Sequence, residues 1–283
     1  MRYKIIADSS SDLMKLDNCN YSSVPLKIIT TEKEYVDDES LDVDEMISDL
    51  SAYSGTSRSS CPNVSDWKQS FEDYDGVFCV TITSGLSGSC NSANLALNDY
   101  LAENPDKKGY VIDTLTAGPE ITLIIEKLKE LIDEKLNFDE IKARINEYKN
   151  RTHLIFSLES LRNLANNGRC SQAAATFAGL LGIRAIGKAS LQGTLELTDK
   201  VRGSKKALST VFKNMLQTGY EGGRVRIHHC LNSEAALALK EMICERFPAA
   251  VVLIEKTRGL CSFYAESGGL LIGYEGEAKP SIA

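Results

Sequence analysis

Val77–Leu97, VFCVTITSGLSGSCNSANLAL, is the stretch whose reading decides the fold. It opens as an apolar run rich in β-branched residues, passes through the small-residue turn Ser84-Gly85-Leu86-Ser87-Gly88-Ser89, and continues with Ala93, Leu95, Ala96 and Leu97 at helical density. The pattern predicts strand, tight turn, helix. Gly85 and Gly88 allow close backbone approach, and Ser87 or Ser89 can cap the new helix, whose first N–H groups have no partners within it. A turn of this kind is a seat for an anion with a hydroxyl beside it.

Similar junctions flank it. RYKIIADSS predicts a first strand ending in Asp8-Ser9-Ser10-Ser11-Asp12, and KKGYVIDTLTAGPE predicts a strand at Tyr110 to Ile112 followed by a helix from Glu120 to Glu134. SSVPLKIIT is a further strand candidate, and the acidic segment from Glu32 through Asp49 reads as solvated turn and helix. Gly55-Thr56-Ser57-Arg58-Ser59-Ser60-Cys61-Pro62 reads as a polar loop before a helix from Val64 to Tyr74, with more hydroxyls than a helix cap requires. Strands separated by helices predict a mostly parallel sheet, whose carboxyl ends share the edge where open α/β sheets hold ligands.

The second half begins after a charged helix from Phe138 to Asn150. HLIFSLESLRNLANNGRCS predicts a strand and a helix closed by Asn167-Gly168, with Arg169 just beyond. AAATFAGLLG is apolar on nearly every side and predicts a buried segment, in the core or along a cavity wall. IRAIGKASLQGTLELTDKV predicts two strands joined at Gln192-Gly193, with Arg202-Gly203-Ser204 leading into a helix. The strand RVRIHHCL, a helix from Ser233 to Phe247, the strand AAVVLIEK and the Gly-rich end RGLCSFYAESGGLLIGYE complete a second α/β unit. No linker separates the halves, which predicts close packing.

Composition narrows the function. A net charge of -7 over 283 residues argues against nucleic acid as the main partner and against an anionic membrane surface. The chain starts without the apolar segment of a signal peptide and has no run of about eighteen apolar residues, which predicts a cytoplasmic protein without a membrane span. The eight cysteines are scattered without a C-x-x-C pair, which argues against structural zinc and a disulfide scaffold. His153, His228 and His229 are the only histidines; neighbours in a strand point to opposite faces, so no shared metal is expected and each reads as structural or exposed.

Taken together and in order, these motifs resemble the DegV family over nearly the whole length. The residues that carry the resemblance are Asp8-Ser9-Ser10-Ser11-Asp12-Leu13, Val24-Pro25-Leu26, Thr56-Ser57, Ser84-Gly85-Leu86-Ser87-Gly88, Val111-Ile112-Asp113, Gly168-Arg169 with Ser171, Gly193 before Leu195-Glu196-Leu197, and Arg202. The resemblance implies an α/β protein of two domains, the first (1–152) three-layered on a mostly parallel sheet and the second (153–283) on a mixed sheet. A long-chain fatty acid of palmitate, stearate or oleate type would lie in a tunnel between them. It also implies a carrier without cofactor or catalysis of its own, which presents the carboxylate to a separate, dihydroxyacetone-kinase-like fatty acid kinase subunit.

Position by position, the resemblance implies that Thr56 and Ser87 bond the carboxylate, with Ser57 and the amides from Gly85 to Gly88 beside them, Arg202 near the head group, and the tail against AAATFAGLLG. Three departures from the family pattern stand out. Arg58 and Ser59 replace the usual glutamine and proline after threonine-serine, which would put the Arg58 cation near the head group. Asn166-Asn167-Gly168-Arg169 replaces a basic-glycine-glycine-arginine run, leaving Arg169 as the remnant of a kinase-docking surface. Glu266 falls where members commonly carry a histidine, which would set a second carboxylate near the ligand's own. Two other readings stay open: a serine hydrolase acting through Ser87, although Ser89 stands where the last glycine of a nucleophile elbow belongs, and a binder of another small anion.

Overall fold

A computed structural model of the chain describes residues 2–72, 74–172 and 182–280. Its first half is built on strands whose alternating side chains are buried on both faces, the condition of a parallel sheet covered on each side. In β1 (Tyr3–Asp8), Ile5 and Ala7 point one way and Ile6 the other; in β6 (Gly76–Thr81), Phe78 and Val80 oppose Val77 and Cys79. With β2 (Tyr21–Val24) and β7 (Lys108–Asp113) they form a sheet in the order β2-β1-β6-β7, all neighbours parallel. One face packs on α4 (Pro119–Asp133) and α5 (Phe138–Lys149), the other on α2 (Val64–Lys68) and α3 (Ser89–Glu103). The three layers expected for the first half are present.

The segment between β2 and α2 differs from its sequence reading. SSVPLKIIT is two strands: Pro25, which has no N–H to donate, ends β2, and Lys27–Ile29 starts β3 in a separate antiparallel sheet. That small sheet has the order β4-β3-β5, with β4 at Glu34–Val36 and β5 at Arg58–Ser60. The acidic segment therefore holds a strand before α1 (Val43–Ala52), which Asp42 caps by accepting from the Glu45 amide at 2.9 Å. The expected polar loop holds β5, and the helix beyond it stops at Lys68.

The second half is a six-stranded mixed sheet, in the order β10-β9-β8-β13-β11-β12. Its strands are β8 (Thr152–Leu158), β9 (Ile183–Ala189), β10 (Leu195–Arg202), β11 (Arg224–His229), β12 (Val251–Lys256) and β13 (Leu270–Glu275); only β11 and β12 pair in parallel. Helices α7 (Ser204–Gln217) and α8 (Ser233–Arg246) cover one face through Val211, Met215, Leu239 and Ile243. On the other face α4 lies against β8, β11 and β13, so this helix is packed between both sheets, and every residue from Pro119 to Ile125 is buried. AAATFAGLLG falls almost wholly on 173–181, outside the described residues.

Among the described residues this half also holds two short helices, α6 (Arg162–Asn166) and α9 (Gly259–Ala265). The Gly-rich end gave no sign of α9, whose first amides are capped from the other half of the chain. Asp37 accepts from Gly259 N at 2.8 Å and Leu260 N at 2.9 Å, and burial pushes its carboxyl up to about 6 against those bonds. His228, read as structural or exposed, is fully buried and joins the halves: Nδ1 lies 2.7 Å from Asp12 Oδ2, and Nε2 faces Glu255 at 3.3 Å. Burial alone would lower its pKa, but the two carboxylates outweigh that and hold it at about 9. Beside it, Arg226 of β11 makes a forked pair with Glu126 of α4, with contacts of 2.6 to 2.9 Å.

Candidate functional site

Between the halves lies a cavity of about 320 Å³, within the range of small-molecule sites. Leu26, Ile82 and Leu86 line it from the first half, and Leu154, Phe156, Leu158 and Leu271 from the mixed sheet. Its polar groups are Ser59, Ser60, Ser87, Arg169 and the Tyr264 hydroxyl, with Gly88, Cys61 and Cys261 also on the wall.

The strand-turn-helix at the end of β6 makes one side of this polar end. Asp8, fully buried, accepts from Ser10 Oγ, from Ser89 Oγ at 2.6 Å and from Ile82 N at 2.9 Å, which fixes the turn from beneath. Burial raises the Asp8 pKa against those bonds. Ser89 is thus committed to the core, and Ser87 is the serine left facing the cavity, its Oγ also accepting from Ser89 N at 3.3 Å. Asp113 holds the other shoulder of the turn through the Ser84 amide and hydroxyl. The tip of the β9–β10 hairpin covers the turn. A side chain at Gly85 would meet Gln192 O at 2.8 Å, and Gly193, at φ +75, leaves no room between itself and Thr83.

Arg169 sits beyond the left-handed Gly168, at φ +74, that closes α6. Its guanidinium donates to Leu86 O at 3.2 Å and to Asn167 O, which turns it onto the cavity wall. Among the described residues its bonded acceptors are carbonyls and it has no carboxylate partner.

The other expected site residues are distributed differently. Thr56 is exposed ahead of β5 and does not line the cavity, and Ser57 reaches this region only through its carbonyl, which accepts from Asn167 Nδ2 at 3.2 Å. Arg58 is exposed on β5 opposite Ile29. The hydroxyls on the wall are three residues further on, at Ser59 and Ser60, followed by Cys61 and Pro62. The signal was in the sequence: a hydroxyl pair, one residue, then proline is the family order, and Ser59-Ser60-Cys61-Pro62 keeps that spacing, whereas Thr56-Ser57 matches the residue types alone. Arg202 is exposed at the end of β10, opposite Ile183. Glu266 turns away from this cavity and accepts from Ser160 Oγ at 2.9 Å and Asn163 N at 3.1 Å, at the start of α6. Tyr264 gave no sequence signal, because α9 itself was not foreseen.

The geometry opposes the hydrolase reading. His153 bonds Glu277 O, His228 faces Asp12 and Glu255, and His229 accepts from Asn232 N, so no histidine is placed as a base for Ser87. Among the described residues, no cluster of three or more His, Cys, Asp or Glu side chains could hold a metal, and no helix is long and apolar enough to cross a membrane.

Residues 2–275 match the model of the DegV family, described as an uncharacterised protein family. A DegV domain-containing protein of Streptococcus pneumoniae is 47% identical over 279 residues, 97% of this chain and 99% of its own. Among solved structures, the Fatty Acid Kinase (Fak) B3 protein of Streptococcus pneumoniae loaded with linoleic acid superposes with a TM-score of 0.96 at 47% identity, covering 98% of this chain and 100% of that one. A DegV family protein of Eubacterium eligens loaded with heptadecanoic acid gives a TM-score of 0.95 at 41% identity, covering 97% and 100%.

Proposed function

Since the chain belongs to the DegV family, we propose that it binds a long-chain fatty acid in the interdomain cavity and carries it to a separate fatty acid kinase subunit. One observation carries the reading: the cavity wall is apolar except at one end, where hydroxyls, the turn ahead of α3 and Arg169 meet without a protein carboxylate. A buried carboxylate is costly without several donors, and such an end supplies them. The tail, at about 0.8 kcal/mol per buried CH₂, contributes most of the affinity, leaving the donors to set orientation.

In this reading the carboxylate lies among Ser59, Ser60, Ser87, the Gly88 turn and Arg169. The head-group role assigned by resemblance to Thr56 passes to Ser59, and that of Arg202 to Arg169. The halves divide as domains between α5 and β8, with the ligand bridging them, and the protein works in the cytoplasm. The linoleate-loaded relative is a kinase B protein. The one G-x-x-x-x-G-K run of this chain, Gly182 to Lys188, is followed by Ala189 instead of serine or threonine and continues as strand β9, so it is not a phosphate loop, and phosphoryl transfer is assigned to the partner.

Calorimetry with delipidated protein and oleate tests the assignment. Ser59→Ala and Ser87→Ala each remove a bond to a charged group, worth about 1.5–3 kcal/mol, and are expected to weaken binding roughly tenfold to a hundredfold, while Thr56→Val leaves it unchanged. Unchanged affinity in both serine variants would sink the head-group assignment. Mass spectrometry of the protein purified from cells should show a bound fatty acid.

A further inference from the structure

Ser59 and Tyr264 are 205 residues apart in sequence, yet their hydroxyl oxygens lie 2.6 Å from one another on the cavity wall. Two hydroxyls bring two hydrogens, and the bond between them uses one. Whichever oxygen accepts, the other hydrogen is left over, and among the described residues neither hydroxyl has a second partner. We propose that Tyr264 is a positioning residue for the head group: by bonding Ser59 it turns the spare hydrogen of the pair into the cavity, as a directed donor for the ligand's carboxylate. The inference rests on the fatty-acid reading above.

The surroundings leave the pair little freedom. Asn167 accepts from Ser59 N at 3.3 Å and donates to Ser57 O at 3.2 Å, so the backbone carrying Ser59 is held on both sides by a residue of the second half. The Ser59 hydroxyl can still rotate about its own bond. Tyr264 removes that freedom, because its ring packs at 4.8 Å on Phe263 and a phenol oxygen moves only with its ring. Ser59, Tyr264 and Arg169 all line the cavity, and burial raises the Tyr264 pKa against the Ser59 bond and the Arg169 charge, which keeps the phenol protonated at neutral pH. Since β5 belongs to one half and α9 to the other, this donor exists only while the two halves meet.

The test compares wild type, Ser59→Ala, Tyr264→Phe and the double variant by oleate calorimetry and by the pH titration of the carboxyl signal of bound [1-¹³C]oleate. Tyr264→Phe keeps the ring and is expected to melt as wild type does when unliganded. It should weaken oleate about threefold to tenfold and raise the bound carboxyl's pKa, because a donor to the charged form is lost. The double variant should bind within about twofold of the weaker single variant, as for two groups that supply one donor. Loss of affinity in Ser59→Ala with wild-type affinity and titration in Tyr264→Phe would overturn the positioning role and leave the head-group reading standing; additive losses would do the same. No effect of Ser59→Ala would overturn this inference, and the head-group reading would fall with it only if Ser87→Ala also left affinity unchanged.

Discussion

Along the seam between α4 and the mixed sheet, buried and half-buried charges meet opposite charges from the protein itself, whereas at the polar end of the cavity the donors meet carbonyls, amides and one another. Glu126 forks onto Arg226, Glu130 lies 2.5 Å from Arg224, and Asp12 faces His228. Among the described residues Arg169 has only carbonyl partners, and Ser59 bonds another hydroxyl. Both regions lie between the same two halves. The seam is neutralised by the protein's own charges; the cavity end has donors in excess of protein carboxylates, which is the feature the proposed fatty-acid site uses. Substitutions at the seam should therefore appear in stability, and substitutions at the cavity end in binding.

The sharpest way to break this contrast is Glu126→Ala. It leaves Arg226, 6% exposed, as a buried cation without its partner, and should cost about 3–5 kcal/mol in denaturant unfolding. Replacing both partners by apolar residues, Glu126→Leu with Arg226→Met, should recover most of the loss, because the desolvation of two charges is then relieved as well. If Glu126→Ala unfolds at the wild-type midpoint, the seam does not hold the halves.

His228 gives the seam a pH signature of up to about 3 kcal/mol. Its folded pKa of about 9 is raised from 6.5, so its contribution is fully present below about pH 6.5 and is lost as the pH rises through 9. Asp37 is also raised, from 3.8 to about 6, but its contribution is lost in the window between those values, below that of His228. Unfolding curves at pH 6.5 and 8, below the range where the buried thiols of Cys79, Cys230 and Cys261 add their own loss of stability, should therefore fall in midpoint for wild type and lose most of that slope in His228→Gln. A wild-type slope retained in His228→Gln would assign the effect to another group.

At the cavity end the expected loss is of binding alone. Arg169→Met removes the one cation on the described wall and should weaken oleate by about 1.5–3 kcal/mol, roughly tenfold to a hundredfold. Its unliganded melting temperature should stay near wild type, because the bonds lost are those to two backbone carbonyls at the cavity rim. Equal losses of stability and binding would erase the distinction between the regions.

The parallel half was legible because its signals are local: alternating burial in Tyr3–Asp8 and Gly76–Thr81, and glycines where β6 turns into α3. Ser87, which follows such a glycine, could be placed beside the cavity from the sequence, whereas Arg169 reads there as a kinase-docking remnant and its place on the cavity wall was not foreseen. What was not legible depends on partners far along the chain. Asp37 caps a helix more than 200 residues later. His228 looks like any strand histidine until Asp12 is brought to it. The hydroxyls on the cavity wall stand three residues beyond Thr56-Ser57, where a match of residue types outweighed the spacing to Pro62, and only the pairing of β5 with β3 fixes which residues reach the wall.

Glu266 offers the smallest effect and the finest discrimination. As the replacement for a histidine near the head group, it would repel a fatty carboxylate, and Glu266→Gln would tighten binding at neutral pH. In the structure its Oε1 takes both bonds, from Ser160 Oγ and Asn163 N, and a glutamine oxygen can accept the same two. What the substitution removes is the charge, whose ion-pair contact is Arg162 at 3.6 Å with 63% of that side chain exposed. Exposed pairs of this kind contribute little, so the stability cost should stay under about 0.5 kcal/mol. Oleate affinity should be unchanged, because the carboxylate faces α6 and not the cavity that holds Arg169. Calorimetry of Glu266→Gln beside Arg169→Met sets the two charged positions on one scale. Tightening by more than about threefold in the glutamine variant would bring the Glu266 charge within reach of the ligand. The cavity end would then be balanced by the protein's own carboxylate, as the seam is, and its excess of donors would no longer explain why an anion binds there.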